Sequence, residues 1–111
     1  MDLNTYQKIA LTTALKSSSS RNTDIYHWIL GLGGEVGEIL EKFKKITRDH
    51  DADFSALDLD DLTKELGDVL WYLAVLADEF GITLEEVAIK NSKKLKSRQE
   101  RGKLRGSGDN R

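Results

Sequence analysis

The chain has 111 residues, with 17 Lys and Arg against 19 Asp and Glu, and it has neither cysteine nor proline. This length predicts a single domain. The lack of cysteine excludes a disulfide scaffold, a thiol nucleophile and any cysteine-ligated metal site. No apolar run approaches the length of a membrane span, and the first residues lack the basic and apolar regions of a signal peptide. We therefore expect a soluble, cytoplasmic protein without a membrane partner.

The net charge of −2 conceals an uneven distribution along the chain. Residues 49–68 have a local balance of −7, residues 69–89 add −4, and residues 90–111 carry +7. This pattern could join an acidic site to a basic one. Charge alone favours a simpler interpretation, in which these are solvated helix faces followed by a basic tail.

The spacing of apolar residues predicts four helices and no strand. Helix 1 is expected to start at Asn4, a favourable N-cap residue, and to run to about Lys16. A polar linker over residues 17–22 follows. Helix 2 is then expected to start with Thr23 or Asp24 as its cap.

The middle of helix 2 is rich in glycine. Four glycines, at positions 31, 33, 34 and 37, fall within seven residues. Each costs about 1 kcal/mol of helix stability relative to alanine. Close helix packing or a local kink must therefore compensate. The helix is expected to end at an Asp-rich loop over residues 48–57.

Helix 3 is expected to start with Asp58 or Asp60 as its cap and to run to Phe80, with Gly81 as a natural stop. Residues 83–86 have the T-x-x-E pattern of a capping box.

Helix 4 should therefore extend from Leu84 to about Arg101 and end at Gly102. We expect one domain over residues 1–105 and a flexible tail over residues 106–111.

Two matched acidic motifs are the main chemical signal. Helix 2 carries Glu35 and Glu38 three residues apart, and helix 3 carries Glu65 and Asp68 at the same spacing. This spacing places each pair on one helix face, and like charges beside an apolar stripe require neutralising cations. Two facing helices would bring together four oxygen ligands, which suit Mg²⁺ or Mn²⁺. Solvated faces stay open as the alternative, because E-x-x-E is common on helices.

Cationic and aromatic side chains lie at helical spacing around these motifs. The candidates for binding a polyphosphate are Lys42, Lys45, Asn91, Lys94 and Arg98. Tyr72, four residues after Asp68, could border a base pocket. Core packing is favoured for Trp28 and Trp71.

The segments 31–42 and 64–73, with the basic helix 4, resemble the MazG-like nucleotide pyrophosphohydrolases of the all-α NTP pyrophosphatase superfamily. The resemblance extends over nearly the whole chain. It implies an all-α fold with an antiparallel four-helix bundle-like core, completed by homo-oligomerisation into a dimer or tetramer. It also implies that Mg²⁺, or Mn²⁺ in its place, is held by the four acidic residues Glu35, Glu38, Glu65 and Asp68.

The resemblance also implies a reaction, the hydrolysis of the α–β phosphoanhydride of a (deoxy)nucleoside triphosphate to monophosphate and pyrophosphate. Glu38 would position or deprotonate a metal-activated water. Tyr72 would lie beside the sugar or base. The triphosphate would be contacted by Lys42 or Lys45 together with Asn91, Lys94 and Arg98. Removal of non-canonical nucleotides, called house-cleaning, is the role that the family implies.

Two alternatives stay open. One is a relative that acts on a different phosphoanhydride, such as phosphoribosyl-ATP. The other is a non-enzymatic helical module that binds nucleotides or nucleic acid through its basic C-terminal residues. The acidic motifs count against a nucleic-acid partner, because they would repel it unless they were loaded with metal.

Overall fold

Four α-helices and one short 3-10 turn form the regular structure of the residues that this computed structural model describes, 1–17 and 19–111. They are α1 (Leu3–Leu11), α2 (Arg21–Asp49), the 3-10 turn (Phe54–Ala56), α3 (Leu59–Glu79) and α4 (Leu84–Glu100). These described ranges contain no strand, which confirms the predicted all-α class. Within them, no helix combines the length and apolar composition needed to cross a membrane. Ser18, in the predicted linker, lies outside the described residues.

The first two helices have different N-caps from those predicted. α1 is capped by Asp2 rather than Asn4, because the Asp2 carboxylate accepts a backbone N–H of the first turn at 2.7 Å. α2 is capped by Ser20 rather than by Thr23 or Asp24, so it starts inside the predicted linker. Asp24 is instead buried in the first turn of α2, where its carboxylate accepts a backbone N–H of the linker at 2.7 Å.

α1 ends at Leu11, so the prediction that it continues to about Lys16 is wrong. The hydroxyls of Thr12 and Thr13 donate to backbone carbonyls three residues earlier, at 2.6 and 2.9 Å. Such side-chain bonds satisfy carbonyls at the helix end and compete with further helical turns.

α2 continues through its glycines to Asp49 and pairs with α3 in antiparallel orientation. At one end of the pair, Arg21 donates to the backbone carbonyl of Glu79, and at the other end Lys42 forms an ion pair with Asp61. The long α2 thus runs beside the whole of α3. Residues near the middle of each helix are therefore brought face to face.

The ends of α3 and α4 follow the predicted local signals. Asp58 caps α3 by accepting a backbone N–H at 3.1 Å. Gly81 ends α3 and Gly102 follows α4 with φ of +66° and +65°, a conformation that glycine adopts at low cost. Thr83 and Glu86 form the predicted capping box at the start of α4.

The small core lies where α1 crosses the turn between α3 and α4. Ala10, Ala74 and Leu84 are buried there. The buried amide of Gln7 donates to the carbonyls of Ala74 and Ile82 at 3.0 and 3.1 Å and accepts the backbone N–H of Leu84 at 3.0 Å. A single polar side chain therefore satisfies three backbone groups and holds α1 against both later helices.

Candidate metal and substrate site

Three carboxylates from α2 and α3 converge at the middle of the antiparallel pair. Glu35, Glu65 and Asp68 each offer an oxygen, and these oxygens all lie within 4.8 Å of one another. Glu35 and Glu65 are half-buried, whereas Asp68 is exposed. The i,i+3 spacing on α3 and the antiparallel pairing with α2 together produce this group, called here the carboxylate cluster.

Glu38 is exposed and lies outside this group of three. Its charge still acts on the cluster, because it contributes to the raised pKa of Glu35. Its roles as a metal ligand and in activating water stay predictions.

The electrostatics of the carboxylate cluster favour a bound cation. Burial, followed by the charges of Asp68, Glu65 and Glu38, raises the pKa of Glu35 above its ordinary value. Mutual repulsion of this kind is relieved by a cation between the carboxylates. The donors are all carboxylate oxygens, which fit Mg²⁺ or Mn²⁺ rather than a softer metal.

Tyr6 brings α1 to the edge of the cluster, a contact that sequence reasoning missed. Its hydroxyl lies 3.5 Å from the carbonyl oxygen of Gly67, the residue before Asp68. Burial and the charge of Asp68 raise the pKa of the Tyr6 hydroxyl. The contact joins residues 61 positions apart, so no local spacing pattern could have shown it.

The structure places one of the two candidate lysines of α2 beside the cluster. Lys42 pairs with Asp61 and, at 3.2 Å, with Glu65. These two partners, Asp61 first, raise the pKa of Lys42. Lys45 lies apart from the cluster, with its exposed ammonium group 4.0 Å from Glu41.

Tyr72 packs inside the α2–α3 interface. Its ring centroid lies 6.5 Å from that of Trp28 and 4.9 Å from that of Trp71. Trp28 is buried, as core packing predicts, and its indole N–H donates to Glu79 at 3.1 Å. The predicted position of Tyr72 beside a sugar or base stays a prediction.

None of the three candidates on α4 belongs to the carboxylate cluster. Asn91 and Lys94 line a largely apolar groove of about 580 Å³ between α3 and α4, whereas Arg98 is buried against the residues after α4. In the described ranges, no hydrogen bond or ion pair joins these three side chains to the carboxylates.

Of the four glycines in the middle of α2, Gly31 is the one that the close packing against α3 requires. A Cβ built at Gly34, Gly37 or Gly67 would have no atom within 4 Å. A Cβ at Gly31 would instead collide with the ring of Tyr72. Close approach therefore depends on Gly31, one turn before Glu35, and the three glycines beside the acidic motifs face open space.

Comparison with known proteins gives two matches. Residues 26–102 match the family model described as the MazG nucleotide pyrophosphohydrolase domain. The chain is also 43% identical over 114 residues to "Gene 37 protein" of Mycobacterium phage L5, with both chains covered completely. No solved structure is significantly similar. The matched range contains all of the predicted site residues.

Proposed function

Since the chain belongs to the MazG nucleotide pyrophosphohydrolase family, we propose that it hydrolyses (deoxy)nucleoside triphosphates between the α- and β-phosphates in a Mg²⁺-dependent reaction. The products are the nucleoside monophosphate and pyrophosphate. The observation that supports this best is the convergence of Glu35, Glu65 and Asp68 from two helices. Free carboxylates would repel a polyanionic substrate, whereas a divalent cation inverts the local charge.

The residues that would hold Mg²⁺ are the three members of the carboxylate cluster together with Glu38. When bound, Mg²⁺ polarises phosphoryl oxygens and makes water a competent nucleophile near neutral pH. Glu38 is exposed one turn beyond Glu35, and in this proposal it orients the attacking water and accepts its proton. No protein nucleophile is required, in keeping with the absence of cysteine.

Cationic residues bind the triphosphate in this proposal. Lys42 already pairs with Glu65, so it can exchange a carboxylate oxygen for a phosphate oxygen without moving far. The other phosphate contacts are assigned to Lys45, Asn91, Lys94 and Arg98, and Tyr72 borders the sugar or base. Neutralising charge on the departing pyrophosphate is the contribution that such residues make to catalysis.

The direct test is a panel of canonical and damaged nucleoside triphosphates, assayed for pyrophosphate release with Mg²⁺, Mn²⁺ or EDTA. We expect stoichiometric monophosphate and pyrophosphate with either metal and no turnover in EDTA. Release of orthophosphate alone, or turnover that persists in EDTA, would contradict the proposal. A preference for damaged nucleotides supports house-cleaning, and turnover of canonical nucleotides without any preference counts against it.

We also propose that the protein is a homo-oligomer, a dimer or tetramer. The radius of gyration is 17.1 Å, against about 13 Å for a compact chain of this length. α2 leaves an apolar stripe in solvent, in which Leu30 is 74%, Val36 40% and Leu40 65% exposed. Burial of this stripe against a second copy would supply the core that one chain lacks.

Light scattering tests the association. The wild-type mass is expected to be at least twice the 12.5 kDa of one chain. Leu40→Glu should shift it towards a single chain, because a charge would be placed in the apolar interface. Leu15→Glu, at a position 87% exposed outside the stripe, is the matched control and should leave the mass unchanged. A wild-type mass of one chain would refute association.

A further inference from the structure

The residues that follow α4, 102–111, fold back on themselves and are called here the 102–111 loop. The guanidinium of Arg111 donates to the carbonyls of Gly108, Lys103 and Leu104 at 2.6, 3.3 and 3.3 Å. Positive φ at Gly106 and Gly108, +115° and +85°, lets the chain turn back on itself. The loop includes residues 106–111, the segment predicted to be a flexible tail. Hydrogen bonds from Arg98 hold this segment against α4.

One carboxylate of the loop contacts two of the cations of α4. The Asp109 carboxylate lies 3.1 Å from the Lys94 ammonium and 3.3 Å from the Arg98 guanidinium. Arg98 also donates to the carbonyls of Gly108 and Asp109 at 3.1 and 2.8 Å. Lys94 and then Arg98 hold the pKa of Asp109 below its ordinary value. Two of the cations assigned to the triphosphate are therefore already paired with one internal anion.

The burial of the three partners is unequal. Arg98 is only 4% exposed, and its Nε–H is buried with no hydrogen-bond partner in the described ranges. The Asp109 side chain is 83% exposed. Ion pairs with an exposed partner are weak, so the cations stay in place and the carboxylate is the replaceable member. The planar arginine fork matches a phosphate group better than a single carboxylate oxygen.

We propose that Asp109 is an intramolecular competitor of the substrate. In the free protein it occupies the anion position formed by Lys94 and Arg98, and a phosphate group of the substrate displaces it. A triphosphate carries several negative charges against the single charge of Asp109, which favours the exchange. This inference rests on the proposed function, in which Lys94 and Arg98 contact the triphosphate. It adds a conformational step, the release of Asp109 from α4 on substrate binding.

Steady-state kinetics of Asp109→Asn distinguish competition from positioning. Because a competitor is removed, KM is expected to fall roughly three- to tenfold, with kcat unchanged within about twofold. If Asp109 instead positioned the two cations for substrate, KM would rise, and the proposal would be overturned. An unchanged KM overturns it as well. Glu100→Gln, at an exposed carboxylate 4.0 Å from Lys96, is the matched control and should leave both constants unchanged.

Calorimetric titration with inorganic tripolyphosphate tests the same exchange without turnover. Asp109→Asn should bind it roughly three- to tenfold more tightly than wild type, and Lys94→Gln should bind it more weakly. If these shifts appear although no nucleotide is hydrolysed, the proposed function fails while the competition stands. If nucleotides are hydrolysed but tripolyphosphate binding is absent or insensitive to Asp109→Asn, the competition fails and the function stands.

Discussion

Glu65→Gln and Asp68→Asn are each expected to lower the rate of pyrophosphate release by at least about 100-fold, since metal stabilisation of transition-state charge supplies several kcal/mol and each 1.4 kcal/mol is tenfold in rate. The two side chains supply two of the three oxygens that lie within 4.8 Å of one another. Amides keep the shape of the side chains but remove the charge that attracts Mg²⁺. Initial rates at several Mg²⁺ concentrations measure the effect.

Thermal unfolding separates a lost metal site from a lost fold. Asp68 is exposed within a repulsive cluster, so Asp68→Asn should leave the metal-free Tm unchanged or raise it. Added Mg²⁺ should raise the wild-type Tm, because a ligand of the native state stabilises it, and it should not raise the Tm of Asp68→Asn. Asp60→Asn, at an exposed residue of α3, is the control that should behave as wild type. Wild-type rates in both cluster variants would disprove the metal site.

The rate of pyrophosphate release and the Mg²⁺-induced rise in Tm together assign the role of Glu38. If it is a metal ligand, Glu38→Gln should reduce the Mg²⁺-induced rise in Tm. If it acts on the attacking water alone, the rise should be retained while kcat falls. Glu38 is exposed and lies outside the group of three oxygens. Glu38→Gln therefore tests a role that Glu65→Gln and Asp68→Asn do not.

Features that depend on short stretches of sequence could be predicted. The capping box at Thr83 and Glu86 involves neighbours along the chain, and so does the positive φ at Gly81. The acidic motifs also belong to this class, since i,i+3 spacing fixes which helix face each pair occupies. Antiparallel pairing of the two helices then required only that their apolar stripes face each other.

Features that depend on distant partners could not be predicted. The side chain of Glu79 is only 4% exposed, because Lys16 and Arg21 pair with it and Trp28 donates to it from 51 residues away. In the sequence it is an ordinary acidic residue at a helix end.

The end of α1 could not be predicted for a different reason. The hydroxyls of Thr12 and Thr13 bond to backbone carbonyls and compete with further helical turns. The spacing of apolar residues carries no information about this competition.

Gly31→Ala is expected to destabilise the protein by roughly 1–3 kcal/mol, the cost of overpacking a tight contact. The added Cβ would lie 2.7 Å from the Tyr72 hydroxyl oxygen and closer still to its ring carbons. The ring has little freedom to withdraw, because Trp28 and Trp71 pack beside it. Denaturant unfolding measures the loss as a lower midpoint.

Gly33→Ala is the matched control, two residues further along the same helix. A Cβ there meets no atom within 4 Å, so the better helix propensity of alanine should stabilise the protein by up to about 1 kcal/mol. In a Tyr72→Ala background, Gly31→Ala should lose most of its cost, since the colliding ring is gone. Equal midpoints for Gly31→Ala and Gly33→Ala would show that close contact at this point is not required.

The same substitution links helix packing to the carboxylate cluster. Gly31 lies one turn before Glu35, so pushing α2 away from α3 moves Glu35 away from Glu65 and Asp68. The Mg²⁺-induced rise in Tm should therefore shrink in Gly31→Ala and be retained in Gly33→Ala. A full rise in a destabilised Gly31→Ala would mean that the side chains adjust locally and that the glycine serves packing alone. A reduced rise would make the contact with Tyr72 the element that sets the distance across the metal site.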